Sequence, residues 1–380
     1  MPQLKKILIS IDHAATGGCQ EVINTWLNNF PKHQLDILVV VLHGNGEYLK
    51  RYHQAGVRTI TLSKSKHNPL ILIKYFFTIK NFKPDVIHNN LVISSTFGPI
   101  FAKQLSVKKI INHVHAEIPL RGVYRYLKPL YKIGCQYSDL IIAVSGKVKL
   151  NLVNKYQISE NSITILANTY NIKIKECKSE LITKLKEQYK LPDNAFICGV
   201  SGTLVYYKNQ ALAIRAINTL AKSHKNLYLF IAGDGPDKEN LNNLILELNL
   251  NQRVFLLGKL PHSETHFPNY NTFIHMLDAF ILPSKIEGFP LVALEAMYAN
   301  KFVISAKVSG IENNFIHEKE ILSFDIDNQE QLINCIDQRI QMPKEKVQQL
   351  IKAAQKKVSK QYGPEYIVNC LLELYTNNHA

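Results

Sequence analysis

Glu287 and Glu295 lie eight positions apart in the run Pro283-Ser284-Lys285-Ile286-Glu287-Gly288-Phe289-Pro290-Leu291-Val292-Ala293-Leu294-Glu295. The apolar segment 279–282 reads as a strand that stops at Pro283, and a polar loop containing Gly288 follows it. A helical pattern begins near Pro290, a residue suited to a first helical position because its missing N–H would be an orphan there anyway. Glu287 is thereby placed in the loop and Glu295 just over one turn into the helix. A helix N-terminus offers free N–H groups and a positive dipole end, which attract phosphate. Carboxylates accept hydrogen bonds from hydroxyls. Hydroxyl acceptors beside a phosphate site suit a sugar nucleotide.

Other residues carry chemistry at the ends of apolar segments. Lys208 follows the segment 196–201 and a loop containing Thr203, where a cation can meet phosphate. Gly17 and Gly18 follow the first apolar segment, and a double glycine lets backbone approach a ligand closely at a helix start. The spacing is not that of a dinucleotide-binding glycine fingerprint. His115 closes the segment 111–115, with His113 as the other candidate there; Glu117 is given no role. The Gly233-Asp234-Gly235-Pro236 turn and the 256–260 and 309–311 segments read as architecture.

The run from Glu287 to Glu295 resembles the E-x7-E signature of glycosyltransferase family 4, the retaining glycosyl group 1 transferases of GT-B fold. The resemblance extends over nearly the whole chain and is most specific at 287–297. It implies that Glu287 contacts the donor sugar, that Glu295 contacts the nucleotide ribose, and that Lys208 neutralises the diphosphate. It also implies that Gly288, Phe289 and Leu291 border the nucleotide, that Gly17 and Gly18 face donor phosphates and acceptor, and that His115 contacts the donor sugar. Thr203 stands where the family usually has Arg, so one neutral hydroxyl replaces a bidentate cationic fork. The implied donor is an NDP-sugar, with UDP expected, and no cofactor or metal is expected. The implied acceptor is a glycan or polyprenyl-diphosphate-linked oligosaccharide used in surface polysaccharide assembly.

The elements that must position these groups follow from length and periodicity. At 380 residues the chain exceeds one core of usual size, so two domains are expected. Alternating strand and helix patterns run through 7–166 and start again at 196, which argues for parallel, doubly wound α/β sheets. The Lys- and Glu-rich stretch 171–192 reads as the link between them. The expected division is 1–178 for an acceptor-binding Rossmann-like domain and 179–361 for a nucleotide-sugar-binding one, facing across a cleft. In the family the last helix crosses back, so residues 362–380 are assigned to the first.

Composition narrows the class further. With 46% hydrophobic and 20% charged residues the chain is globular. No apolar run reaches the ~20 residues that span a bilayer, and the first residues lack a signal-peptide cleavage pattern. Six scattered cysteines without a paired motif read as thiols in a reducing cytosol. Residues 1–178 hold 24 Lys and Arg against 9 Asp and Glu, whereas 179–380 hold 21 of each. A basic half suits an anionic membrane surface or a phosphate-bearing substrate. Arg121, Arg125, Lys128 and Lys132 share one helical face among tyrosines and leucines, as at a membrane interface, and Pro129 is expected to bend or split that helix. The expected location is cytoplasmic, peripheral on the inner membrane face, with no nucleic-acid partner. The rival readings are a sugar-nucleotide epimerase of similar fold, a non-catalytic partner subunit motivated by Thr203, and a nucleic-acid binder motivated by charge alone.

Overall fold

The computed structural model describes residues 5–118, 123–170, 174, 177–261 and 266–376. The chain divides into two compact units, Met1–Asn171 with Tyr362–Ala380, and Ile172–Gln361.

The first unit opens β1 (Lys5–His13), α1 (Gly18–Asn29), β2 (Leu35–His43), α2 (Glu47–Gln54), β3 (Arg58–Ser63) and α3 (Ile71–Phe82). It continues with β4 (Val86–Asn90), α4 (Val92–Gln104), β5 (Lys109–Val114), α5 (Val123–Tyr137), β6 (Leu140–Ala143), α6 (Gly146–Tyr156) and β7 (Ile163–Ile165). The strands form one parallel sheet in the order β3-β2-β1-β4-β5-β6-β7. Ile7, Leu8, Ile9 and Ile11 are all buried, apolar on both sides of the strand rather than alternating, because helices cover both faces. Side-chain parity shows which helices lie where. Leu8, Ile87 and Ile110 pack with Tyr75 and Ile79 of α3 and Ala102 of α4. His88 and His113, pointing the other way, stack on Trp26 of α1. Right-handed crossovers demand this split.

The second unit holds α7 (Ser179–Gln188), β8 (Phe196–Ser201), α8 (Gln210–Leu220), β9 (Leu227–Ala232), α9 (Lys238–Glu247), β10 (Val254–Gly258) and α10 (Tyr270–Met276). Then come β11 (Ala279–Leu282), α11 (Leu291–Tyr298), β12 (Val303–Ala306), β13 (Leu322–Phe324), α12 (Gln329–Gln341) and α13 (Lys344–Gln361). Its parallel sheet has the order β10-β9-β8-β11-β12-β13. The last helix, α14 (Pro364–Thr376), belongs to the first unit. There Ile367, Val368, Leu371 and Tyr375 are buried, and Lys5 Nζ donates to the Tyr375 carbonyl at 2.7 Å.

Three local expectations change. The charged stretch 171–192 is not all linker: its described part contains α7, which buries Leu185 within the second unit. Helix α5 runs unbroken through Pro129, so the proline does not split it. Pro290 takes an extended conformation at the N-cap of α11, and Leu291 is the first helical residue. Arg121, one of the basic residues grouped on α5, lies outside the described residues.

Candidate active site

In the second unit the strand order reverses between β8 and β11, so the loops that follow these two strands part in opposite directions and leave a crevice at their carboxyl ends. Lys208 comes from the first loop and Glu287 from the second. Lys208 Nζ donates to both Glu287 oxygens, at 2.7 and 2.8 Å, across 79 residues of sequence. Ser284 Oγ donates to Glu287 Oε1 at 2.7 Å. The Glu287 side chain is 8% exposed and that of Lys208 22%. A carboxylate has about four acceptor positions and an ammonium three hydrogens. These three bonds therefore leave acceptor capacity on Glu287 Oε2 and one ammonium hydrogen on Lys208.

The two loops are tied together by backbone, and an ion pair ties the second to Asp327 in the segment between β13 and α12. Lys285 N donates to the Tyr207 carbonyl at 2.8 Å, and Lys285 Nζ meets Asp327 Oδ2 at 2.7 Å. That contact raises the Lys285 pKa and lowers that of Asp327. Thr203 is exposed, and its carbonyl accepts from Gln210 Nε2 at 3.1 Å. The Gly-Asp-Gly-Pro turn backs this loop: a Cβ on Gly233, whose φ is +155°, would sit 1.9 Å from the Gly202 carbonyl oxygen. Gly288 and Phe289 are buried ahead of α11, Leu291 is half-buried, and Phe289 packs where a Cβ on Gly310 would lie. Glu295, in the second turn of α11, is 6% exposed, and Tyr270 OH donates to its Oε2 at 3.1 Å. Ser201 Oγ lies 3.1 Å from the same hydroxyl. Burial, then the Glu295 charge, pushes the Tyr270 pKa well up, so its proton stays on to donate.

In the first unit the sheet reverses between β1 and β4. Asp12 fills that point, accepting from the backbone amides of Val92, Ile93 and Ser94 at 3.1, 2.9 and 2.8 Å and so capping α4. Gly17 is the N-cap of α1 and Gly18 its first residue, so the glycine pair opens a helix. Beside it Arg51 Nη1 bonds Glu21 at 2.8 Å, and Tyr48 OH also donates to Glu21. A Cβ on Gly46 would fall 1.8 Å from the Ala14 carbonyl oxygen, so only glycine lets α2's entry cross the loop there.

His115 is half-buried just past β5, and His113 is fully buried. His115 Nε2 lies 2.9 Å from Asn90 Oδ1, and Nδ1 lies 3.2 Å from Asn168 Oδ1. The Asn90 amide donates to the Ser10 and His88 carbonyls, which fixes its oxygen toward His115. Nε2 therefore carries the proton, and a neutral ring at Nδ1 requires Asn168 to present its amide nitrogen. Burial lowers the His115 pKa to about 4 and that of His88 to about 3. His113 stacks on His115 at 4.2 Å, and His88 Nδ1 meets Tyr375 OH at 2.7 Å. The rings stack face to face, with His88 Nε2 3.2 Å from His113 Nδ1, and among the described residues no group of three or more His, Cys, Asp or Glu could hold a metal ion.

Ser284, Tyr270, Ser201, Asn90 and Asn168 carry no sequence signal of their own. Ser284 reaches Glu287 within its own loop and the others reach their partners through strand order or a loop return, although Ser284 stands in the run that holds Glu287 and Ser201 in the segment 196–201.

The chain is similar to known proteins along most of its length. The family described as "Glycosyl transferases group 1" matches residues 182–357, and "Glycosyltransferase Family 4" matches residues 16–173. The O-antigen biosynthesis glycosyltransferase WclY of Escherichia coli is 32% identical over 161 residues, and the chain spans 42% of that relative's length as well as 42% of its own. The N-acetylgalactosamine-N,N'-diacetylbacillosaminyl-diphospho-undecaprenol 4-alpha-N-acetylgalactosaminyltransferase of Campylobacter jejuni is 27% identical over 344 residues, 86% of this chain and 87% of that one. The crystal structure of Anabaena Alr3699/HepE in complex with UDP superposes with a TM-score of 0.84 at 18% identity, covering 98% of this chain and 99% of that one. With two adjoining family matches and two Rossmann-like parallel-sheet units, the chain belongs to the group 1 glycosyl transferases of the glycosyltransferase family 4 type, with a GT-B fold.

Proposed function

We propose that this protein is a retaining, metal-independent glycosyltransferase that moves a hexose or related sugar from a UDP-sugar to a glycan or polyprenyl-diphosphate-linked acceptor in surface polysaccharide assembly, on the cytoplasmic face of the membrane. The observation that carries the reading is the Lys208–Glu287 pair at the strand-order reversal, beside the N-terminus of α11 and with Glu295 eight residues on. Lys208, the α11 amides near Gly288, Phe289 and Leu291, and the Thr203 hydroxyl hold the diphosphate. Their charge is already in place when the leaving group becomes anionic, so no reorganisation opposes the reaction. Phosphate draws the spare ammonium hydrogen of Lys208, and Glu287 turns its free acceptor position to the sugar hydroxyls. Glu295, held by Tyr270, takes the ribose. Gly17, Gly18 and His115 are assigned to substrate contact from the first unit, which receives the acceptor. The leaving diphosphate assists attack on the same face of the sugar, so no protein nucleophile is invoked.

Three relatives support the choice of substrates. The Anabaena protein's structure contains UDP, the Escherichia coli relative's name places it in O-antigen synthesis, and the Campylobacter enzyme's name specifies a diphospho-undecaprenol acceptor. Turnover of UDP-sugar by Glu287→Ala is expected to fall by about 100-fold or more with the circular dichroism spectrum unchanged. Wild-type turnover in that variant would sink the assignment, and loss of turnover in excess EDTA would remove its metal-independent part. Thr203 motivates the second reading, a non-catalytic partner subunit. That reading predicts no calorimetric binding of UDP, GDP or ADP to the isolated protein.

A further inference from the structure

Helices α3, α4 and α5 cover one face of the first unit's sheet side by side. Phe76 of α3 meets Phe101 of α4 edge to face at 5.6 Å, and a Cβ on Gly134 of α5 would lie 2.7 Å from the Thr96 carbonyl of α4. The outer surface of such a layer ordinarily reads polar. Here it does not. On α3, Ile73 is 54% exposed and Phe77 49%, one turn apart, with Leu70 exposed just before them. On α5, Tyr126 is 81% exposed, and Leu130, Ile133 and Tyr137 continue the stripe at spacings of four, three and four. Between them α4 presents the half-buried Phe97 and Ile100.

The charges on this layer have one sign. Lys74, Lys80, Lys103, Arg125, Lys128 and Lys132 lie on the three helices, and none of the three contains Asp or Glu. Among the described residues no helix is long and apolar enough to cross a membrane. A layer of apolar and tyrosine side chains bordered by Lys and Arg is the composition of a surface that lies in a lipid headgroup region. A second copy of the chain fits poorly, because a two-fold contact would set this cationic face against itself.

We propose that the α3-α4-α5 face docks on an anionic lipid bilayer, with Ile73, Phe77, Tyr126 and Leu130 entering the headgroup boundary and the lysines at the lipid phosphates. The inference deepens the membrane location proposed above, and because its test contains no sugar nucleotide its failure is distinguishable from failure of the transferase reading.

The test is co-sedimentation of the full chain with phosphatidylglycerol–phosphatidylethanolamine vesicles and with phosphatidylcholine vesicles, containing no sugar nucleotide. Wild-type protein is expected to partition onto the anionic vesicles, with binding that weakens as salt rises. The Ile73→Glu/Tyr126→Glu double variant is expected to lose about ten-fold or more of that partition while its melting temperature holds. Should that variant fail to fold, Lys80→Gln/Arg125→Gln leaves the stripes intact and is expected to lose about five-fold per charge removed. No partition onto anionic vesicles, equal partition onto both types, or wild-type partition by the variants would overturn the proposal. So would a concentration-dependent dimer that Ile73→Glu abolishes.

Discussion

Lys208 and Glu287 neutralise each other, and this shapes what each can do for a ligand. A partly buried carboxylate without its lysine would bear a desolvation cost, and the lysine without its carboxylate would wander. Paired, both hold the geometry of a site while keeping one bonding position each. Thr203 is the departure from the family pattern at this site. Its side chain is exposed and its backbone bond to Gln210 does not involve the hydroxyl, so a larger residue can be accommodated. Thr203→Arg would add a cationic fork, and a hydrogen bond to a charged group contributes roughly 1.5–3 kcal/mol. Calorimetry is therefore expected to show UDP binding about ten-fold tighter in this variant. Unchanged affinity would place the diphosphate away from position 203. The signals for Glu287, Glu295 and Lys208 were legible in the sequence because loop and helix-start chemistry is local. Ser284 and Tyr270 were not, since an ordinary serine or tyrosine acquires a role only through the neighbour that folding supplies.

At the scale of elements, the layered stack of Trp26, His88, His113 and His115 joins α1, β4, β5 and, through Tyr375, α14. Burial holds His88 at about 3 and His113 well below the usual imidazole range, so both stay neutral in the fold at moderately acid pH. The unfolded chain protonates them below about 6.5. Depressed values therefore cost stability as pH falls from about 6.5 towards the folded values, and change nothing above it, at about 1.4 kcal/mol per pH unit for each ring. Amide exchange in β4, β5 and α14 is expected to accelerate between pH 6.5 and 5, and His88→Gln to flatten roughly a third of that dependence, because His113 and His115 are depressed as well. A profile that stays level across this window would show that the rings accept protons without unfolding. Most elements were visible as alternating strand and helix patterns. The helix α7 was hidden by its charge, because a helix that buries little beyond Leu185 carries almost no apolar stripe.

At the scale of the whole molecule, the chain leaves its first unit and returns to it, so α14 completes a core begun some 360 residues earlier. Ile367, Val368, Leu371 and Tyr375 are buried there, and full burial of such side chains contributes roughly 1.5–3 kcal/mol each. That sum is comparable to the entire stability of a domain. Truncation after Gln361 is expected to unprotect the first unit's amides in hydrogen exchange while those of β8–β13 keep their protection. Retained protection in β1 and α1 would show that the return helix is dispensable. The sequence by itself determined two alternating α/β series, the basic first half, and the spacing that puts Glu287 in a loop and Glu295 in the helix after it. These follow from backbone periodicity, capping and composition, all of which act over a few residues. Only the tertiary structure decided that Lys208 meets Glu287, that Tyr270 holds Glu295, that Asp12 caps α4, and that three helices line up one apolar, cationic face. Those pairings depend on strand order and crossover hand, which are set by the burial of whole sheets and leave no mark on any single segment.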